Sequence, residues 1–207
     1  MKKDKLVIFD FDGVLVNTSD LIYSIFDSQN PHLTKEFFVQ MHDGNFHERV
    51  KDAVEKHGYQ PADKYHERYS AGLLELTTED VVRKLIIDLY KKYNLAIVSS
   101  TRGDSIVKKL EKENIREYFS DVLGMDSHLS KVVKIQSLLE KFSLSSEEVI
   151  FVTDTLGDIK EGNECGVASI GVTWGMHDRK TLEKGEPYSI VDSVVELEDS
   201  IEKFFAK

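Results

Sequence analysis

Leu6-Val7-Ile8-Phe9-Asp10-Phe11-Asp12-Gly13 is the stretch from which the rest of the chain can be read. Four apolar residues in succession, with no polar alternation, are how a strand covered on both faces of a parallel sheet reads. Along an extended chain a spacing of two sends Asp10 and Asp12 to one side and Phe9 and Phe11 to the other. Two carboxylates that close cannot easily both ionise without a cation, so the pair binds metal or holds a proton. As chemistry, the pair offers one carboxylate as nucleophile and the other as acid and then base. As plain structure, it is an Asp-Gly turn ending a strand.

Runs of the same kind recur at Leu95-Ala96-Ile97-Val98, Val122-Leu123, Val149-Ile150-Phe151-Val152 and Ala168-Ser169-Ile170-Gly171-Val172. Between them the period is helical: Ile106, Val107 and Leu110 form one stripe, and Val132, Ile135, Leu138, Leu139 and Phe142 another. Alternating strands and helices predict an α/β, doubly wound parallel sheet of Rossmann-like type. The first strand breaks this rhythm. Residues between it and the strand at 95 read as helices over about 19–29, 34–41, 46–57, 62–76 and 79–91. That exceeds one crossover helix, so a small helical cap is expected at 16–79, inserted into a core of 1–15 and 80–207. Asn30-Pro31, Asp43-Gly44 and Gly58-Tyr59-Gln60-Pro61 punctuate it as turns, and 192–205 reads as a closing helix.

Composition excludes several classes. The 207 residues carry 27 Lys and Arg against 37 Asp and Glu, a net charge of −10, which gives no basic field for nucleic acid. A single cysteine, Cys165, excludes an internal disulfide and a cysteine-based zinc cluster. No apolar run exceeds four residues, against about 20 for a membrane span. The expectation is a soluble, cytoplasmic protein with neither nucleic-acid nor membrane partner.

The chemistry gathers where strands end. After the second strand come Ser99-Ser100-Thr101, and after the fourth Thr153-Asp154-Thr155-Leu156-Gly157-Asp158. Ligands of open α/β sheets bind outside the carboxyl ends of the strands, so these groups converge with Asp10 and Asp12, and Lys131 at the start of its helix can reach them. Four acids, two or three hydroxyls and one amine describe a site for Mg²⁺ and a phosphoryl group.

Here the motifs resemble those of the haloacid dehalogenase-like hydrolases, in the phosphatase and phosphomutase branch. Phe9-Asp10-Phe11-Asp12-Gly13-Val14-Leu15 is similar to the family's first signature and Ile97-Val98-Ser99-Ser100 to its second. Lys131, 23 residues before Asp154, resembles the third, and Asp154 to Ile159 followed by Cys165-Gly166-Val167 the fourth. The resemblance implies a Mg²⁺-dependent phosphatase acting on a small phosphorylated metabolite. Asp10 would be the nucleophile and Asp12 the acid and base. Asp10, the Asp12 carbonyl and Asp154 would hold Mg²⁺. Ser99, Ser100 and Lys131 would bind the phosphoryl oxygens, with Asp158 behind them. A sugar phosphomutase using the same site is the alternative, and a phospho-receiver domain the alternative from another class, although receivers lack the helical insertion.

The sequence departs from the family pattern at Asn17, at Thr153 and in the absent Lys-Pro-x-Pro around Lys131, which makes Lys134 a rival for the phosphate role. The histidines at 32, 42, 47, 57 and 66 lack zinc spacing and read as exposed or capping. The resemblance implies leaving-group contacts from the glycine-centred loop of His42 to His47, whose plain structural reading is a connector between two helices. Ser99-Ser100-Thr101 doubles as a possible helix N-cap, Trp174 and Met176 read as closing the sheet edge, and Glu-Lys pairs on outer helices as solvated. Six basic and twelve acidic residues over 17–80 disfavour polyanionic substrates and favour a monoester with a neutral or cationic leaving group.

Overall fold

The computed structural model describes residues 3–206, so residues 1, 2 and 207 of the expected core lie outside the described residues. Six parallel strands, β1 (Leu6–Phe9), β2 (Asn94–Val98), β3 (Asp121–Leu123), β4 (Val149–Thr153), β5 (Ala168–Val172) and β6 (Ser189–Val191), line up as β3-β2-β1-β4-β5-β6. β6 escaped the sequence reading because three residues, Ser-Ile-Val, carry no period. It, with β3, forms the sheet edge, a place assigned above to Trp174 and Met176.

The apolar runs of β1, β2 and β4 are buried because both faces are covered. Val7, Phe9, Leu95, Ile97, Ile150 and Val152 face one core with α5 (Asp80–Lys92), α6 (Gly103–Lys112) and α10 (Val194–Phe205). Leu6, Ile8, Ala96, Val98, Val149 and Phe151 face the other with Ile135 and Leu138 of α7 (Lys131–Phe142). Adjacent residues thus serve opposite cores, the period-2 rule applied to a strand without a wet side. Among the described residues no helix is long and apolar enough to cross a membrane.

Between β1 and α5 the chain forms α1 (Ser19–Asp27), α2 (Lys35–Gln40), α3 (Phe46–His57) and α4 (Tyr65–Glu75). α4 starts three residues later than its pattern predicts because Lys64 turns left-handed at φ 53°. Two of the expected turns are tied together: Asn30, fully buried, donates to Gln60 O at 3.0 Å and accepts from Gln60 N at 2.8 Å. The return into α5 is clasped by a buried pair. Lys109 Nζ meets Glu113 Oε1 at 2.8 Å, and Thr78 N donates to that oxygen at 3.0 Å. Lys109 also donates to Leu76 O. This pair is therefore not the solvated surface expected of it; burial makes it a strut, since neither charge could be left unpaired there.

Phe26, Phe38, Met41 and Ala53 form the helical insertion's own small core. Against it lies His42, its ring stacked on Phe46 and edge-on to Phe38, its Nδ1–H donating to Phe38 O at 3.0 Å. Burial holds this imidazole down at about 4, from an ordinary 6.5. The unfolded chain takes up that proton below pH 6.5 and the folded chain only near 4, so acidification through this window favours unfolding. Urea-unfolding midpoints measured from pH 7.5 down to 4.5 should therefore fall more steeply for the native chain than for His42→Gln; equal slopes would show the imidazole to be solvated.

Candidate functional site

The strand order reverses at β1, which lies between β2 and β4, so the carboxyl ends of these three strands open on one cleft. The cleft encloses about 270 Å³, and Asp10, Asp12, Ser99, Ser100, Lys131, Asp154 and Asp158 all line it. The residues singled out from the sequence are thus brought together, over separations of up to 148 positions.

Lys131 stands at their centre. As the first residue of α7, behind the extended Ser130, it projects toward the strand ends. Its Nζ donates to Asp10 Oδ2 at 2.8 Å and Asp158 Oδ2 at 2.6 Å. Burial works against the ammonium, but the two carboxylates outweigh it and keep the group protonated beyond its usual range. Asp158, on α8 (Leu156–Glu164), also accepts from Thr153 Oγ1 at 2.7 Å. Burial pushes its carboxyl up, yet Lys131 and these hydrogen bonds prevail and hold it below the usual range. Thr153, a departure from the family pattern, thus has a local role. The rival Lys134 points elsewhere: its Nζ donates to Ser99 O at 2.7 Å, it is 1% exposed, and burial with Lys131 nearby lowers it to about 8.

Asp10 and Asp12 have unlike surroundings. Asp10 is buried, with Oδ1 accepting from Phe11 N at 2.6 Å and Oδ2 on Lys131. Burial drives its pKa well above the carboxylate range against the pull of Lys131. Asp12 is held by hydroxyls alone. Thr18 and Tyr69 donate to Oδ1 at 2.7 and 2.5 Å, Thr101 donates to Oδ2 at 2.7 Å, and Ser99 lies 3.5 Å from Oδ2. Gly13, at φ 70°, makes the turn between Asp12 and Val16, and a Cβ there would fall 2.0 Å from Asp154 Oδ2.

Asp154 is 2% exposed, and burial raises its carboxyl to about 7. Oδ2 accepts from Met176 N at 2.7 Å, while Oδ1 is buried without a partner. Trp174 and Met176 therefore do not finish the sheet. The loop after β5 folds back over Asp154, and Trp174 Nε1 donates to Val14 O at 3.3 Å. Gly175 is needed there, since a Cβ would lie 2.2 Å from Asp154 Oδ2.

The loop from His42 to His47 docks on the start of α8. Gly157 N donates to His42 O at 3.1 Å, and a Cβ on Gly157 would lie 2.4 Å from Gly44 O. His42 and His47 turn into the cleft rather than to solvent, whereas His32, His57 and His66 are exposed as expected. The N-cap reading of Ser99-Ser100-Thr101 fails: α6 begins at Gly103 behind Arg102, and Asp126 receives the Gly103 N–H at 2.6 Å. Tyr69, Thr18 and Glu161 went unnoticed in the sequence. Glu161 Oε1 accepts from Lys131 N at 3.1 Å and from Asn45 Nδ2 at 3.0 Å, linking the helical insertion to α7. Its place one turn beyond Asp158, on the same helix face, was the available signal.

The model of haloacid dehalogenase-like hydrolases matches residues 7–172. A phosphoglycolate phosphatase of Vibrio vulnificus is 30% identical over 112 residues, covering 53% of this chain and 49% of that protein. This chain thus spans about half the length of that relative. The Dickeya dadantii protein named "Probable phosphatase IndB" is 30% identical over 213 aligned residues, covering 93% of this chain and 91% of its own. In fold, a haloacid dehalogenase-like hydrolase from Streptococcus pneumoniae has a TM-score of 0.79 at 21% identity, covering 95% of this chain and 98% of that one. A match running from β1 through β5, together with a relative similar along nearly its whole length, shows that the chain belongs to the haloacid dehalogenase-like hydrolase family.

Proposed function

We propose that this chain is a Mg²⁺-dependent phosphatase of small phosphate monoesters, working through an aspartyl phosphate, with residues 16–79 as its cap. The observation that carries the reading is the contrast between Asp10 and Asp12. Two carboxylates two residues apart, one on a lysine and a backbone amide, the other within a set of hydroxyls, are suited to different tasks.

The donor set fits a hard cation. Asp154 Oδ1 is buried and unpartnered, and three buried carboxylates face one buried lysine, which leaves negative charge to be offset. Among the described residues no three acidic, His or Cys side chains form a ready-made cage. Mg²⁺ does not ask for one, since it keeps waters and binds through one or two carboxylates plus substrate oxygens. Asp10, Asp154 and the Asp12 carbonyl would hold it, and once bound it would neutralise charge on the phosphoryl group.

In the reaction, an Asp10 carboxylate oxygen forms a bond to phosphorus as the ester oxygen leaves. Asp12 gives that oxygen a proton, then takes one from the water that attacks the aspartyl phosphate and returns the Asp10 carboxylate with release of phosphate. Ser99, the Ser100 amide and Lys131 face the equatorial oxygens, where charge spreads in the transition state. Asp158 aims Lys131.

Four substitutions test this scheme. Asp10→Asn keeps side-chain volume and removes the anionic nucleophile, so phosphate release should cease with the circular dichroism unchanged; retained turnover sinks covalent catalysis through Asp10. Asp154→Ala should raise the Mg²⁺ concentration giving half-maximal rate, and an unmoved titration would remove Asp154 from the metal. Lys131→Ala should cost about a hundredfold or more in kcat, the scale of a lost transition-state charge partner. Lys134→Ala, which strips Ser99 O of its donor, should instead act on folding, by about 1–3 kcal/mol in urea. A large kcat loss confined to Lys134→Ala reverses the two roles.

A further inference from the structure

The cleft has two unlike halves. The strand-end half carries the acids, hydroxyls and Lys131 already described. The half supplied by the helical insertion is walled by Ile22, Phe46, Val50, Tyr59 and Tyr65, with Met176 opposite. Among the described residues no Lys, Arg, Asp or Glu of the insertion lines it, although 17–80 carry six basic and twelve acidic side chains.

The buried titratable groups that face this half are held in their neutral forms. Burial holds His42 and His47 below the ordinary imidazole value, with Lys134 and Lys131 adding to the effect at His47. Burial likewise keeps the Tyr65 hydroxyl protonated, helped by the Asp12 charge. His66 lies exposed at the rim, edge-on to the Tyr65 ring. Beside it at the mouth, Arg102 is forked onto Asp104, with Nε–Oδ1 3.0 Å and Nη2–Oδ2 3.1 Å.

A carboxylate or second phosphate on the leaving group would lose its water here without meeting a free positive charge, and buried unpaired charge is strongly disfavoured. An uncharged ring would lie against aromatic and aliphatic walls, the usual basis of recognition in such pockets. The enclosed volume of about 270 Å³ suits one small ring beside the phosphoryl group.

We infer that the leaving group taken by this site is uncharged and apolar, of benzyl or aryl size, in preference to the carboxylate of phosphoglycolate or the phosphate of pyrophosphate. The inference rests on the phosphatase reading and names its substrate class.

The test compares kcat/KM of the full chain with Mg²⁺ on benzyl phosphate, 2-phosphoglycolate and inorganic pyrophosphate. Benzyl phosphate should lead by tenfold or more, chiefly through KM. Val50→Lys places a cation in the wall, outside the phosphoryl half. It should shrink the benzyl-to-phosphoglycolate ratio tenfold or more while inhibition by inorganic phosphate stays as in the native chain. Preference of the native chain for phosphoglycolate or pyrophosphate overturns the inference and leaves the phosphatase reading standing. Release of phosphate from none of the three overturns both. Should Val50→Lys fail to fold, the native ratio alone decides.

Discussion

A single ammonium shared between two buried carboxylates organises this molecule. Lys131 joins the carboxyl end of β1, through Asp10, to the start of α8, through Asp158, while its own backbone N–H ties α7 to Glu161. Three acids and one lysine sealed together carry unbalanced charge: pairing outweighs burial at Lys131 and Asp158, but burial outweighs pairing at Asp10 and Asp154. The cost is visible in Asp154, lifted to about 7, and in Asp10, raised well above the carboxylate range, both chiefly by burial. Such a cluster persists because the strand ends, fixed by two buried cores, leave its members no other position. It is poised for added positive charge.

That architecture explains which parts of the molecule were open to reading from the chain. Asp10, Asp12, Ser99, Asp154 and Asp158 stand where apolar runs stop, and a parallel sheet brings its strand ends to one edge whatever the side chains beyond them. Lys131 was marked by its helix start. The donors to Asp12 follow no such rule: Tyr69 is 57 positions away on a helix whose placement depends on the insertion's packing. Burial of charged groups was equally hidden. Lys109 and Lys134 on helices, and Glu113 just past the end of α6, stand among ordinary surface lysines and glutamates, and only tertiary contacts with Thr78 and Ser99 distinguish them. A lysine in a helical pattern implies water unless something across the fold waits for it.

The same distinction separates the two halves of the cleft. The polar half follows from topology and so recurs wherever the strand-end motifs do. The apolar half is made by turns and helices of the insertion, whose seam with α8 closes over Gly157 at backbone contact distance. Bulk at that one position would hold the halves apart.

Tyr69 adds an interlock. Thr18 grips Asp12 from where the chain enters the insertion, while Ser99 and Thr101 grip it from the sheet. Tyr69 alone reaches it from α4, well inside the insertion. Swinging α4 away about its entry point would carry the phenol off while barely displacing Thr18, and water would take the vacated side of the carboxylate. The full set of donors on Asp12 is therefore complete only with α4 in this place. In the scheme proposed above, where Asp12 carries the proton, one hydroxyl would thus tie the setting of the acid to the position of α4.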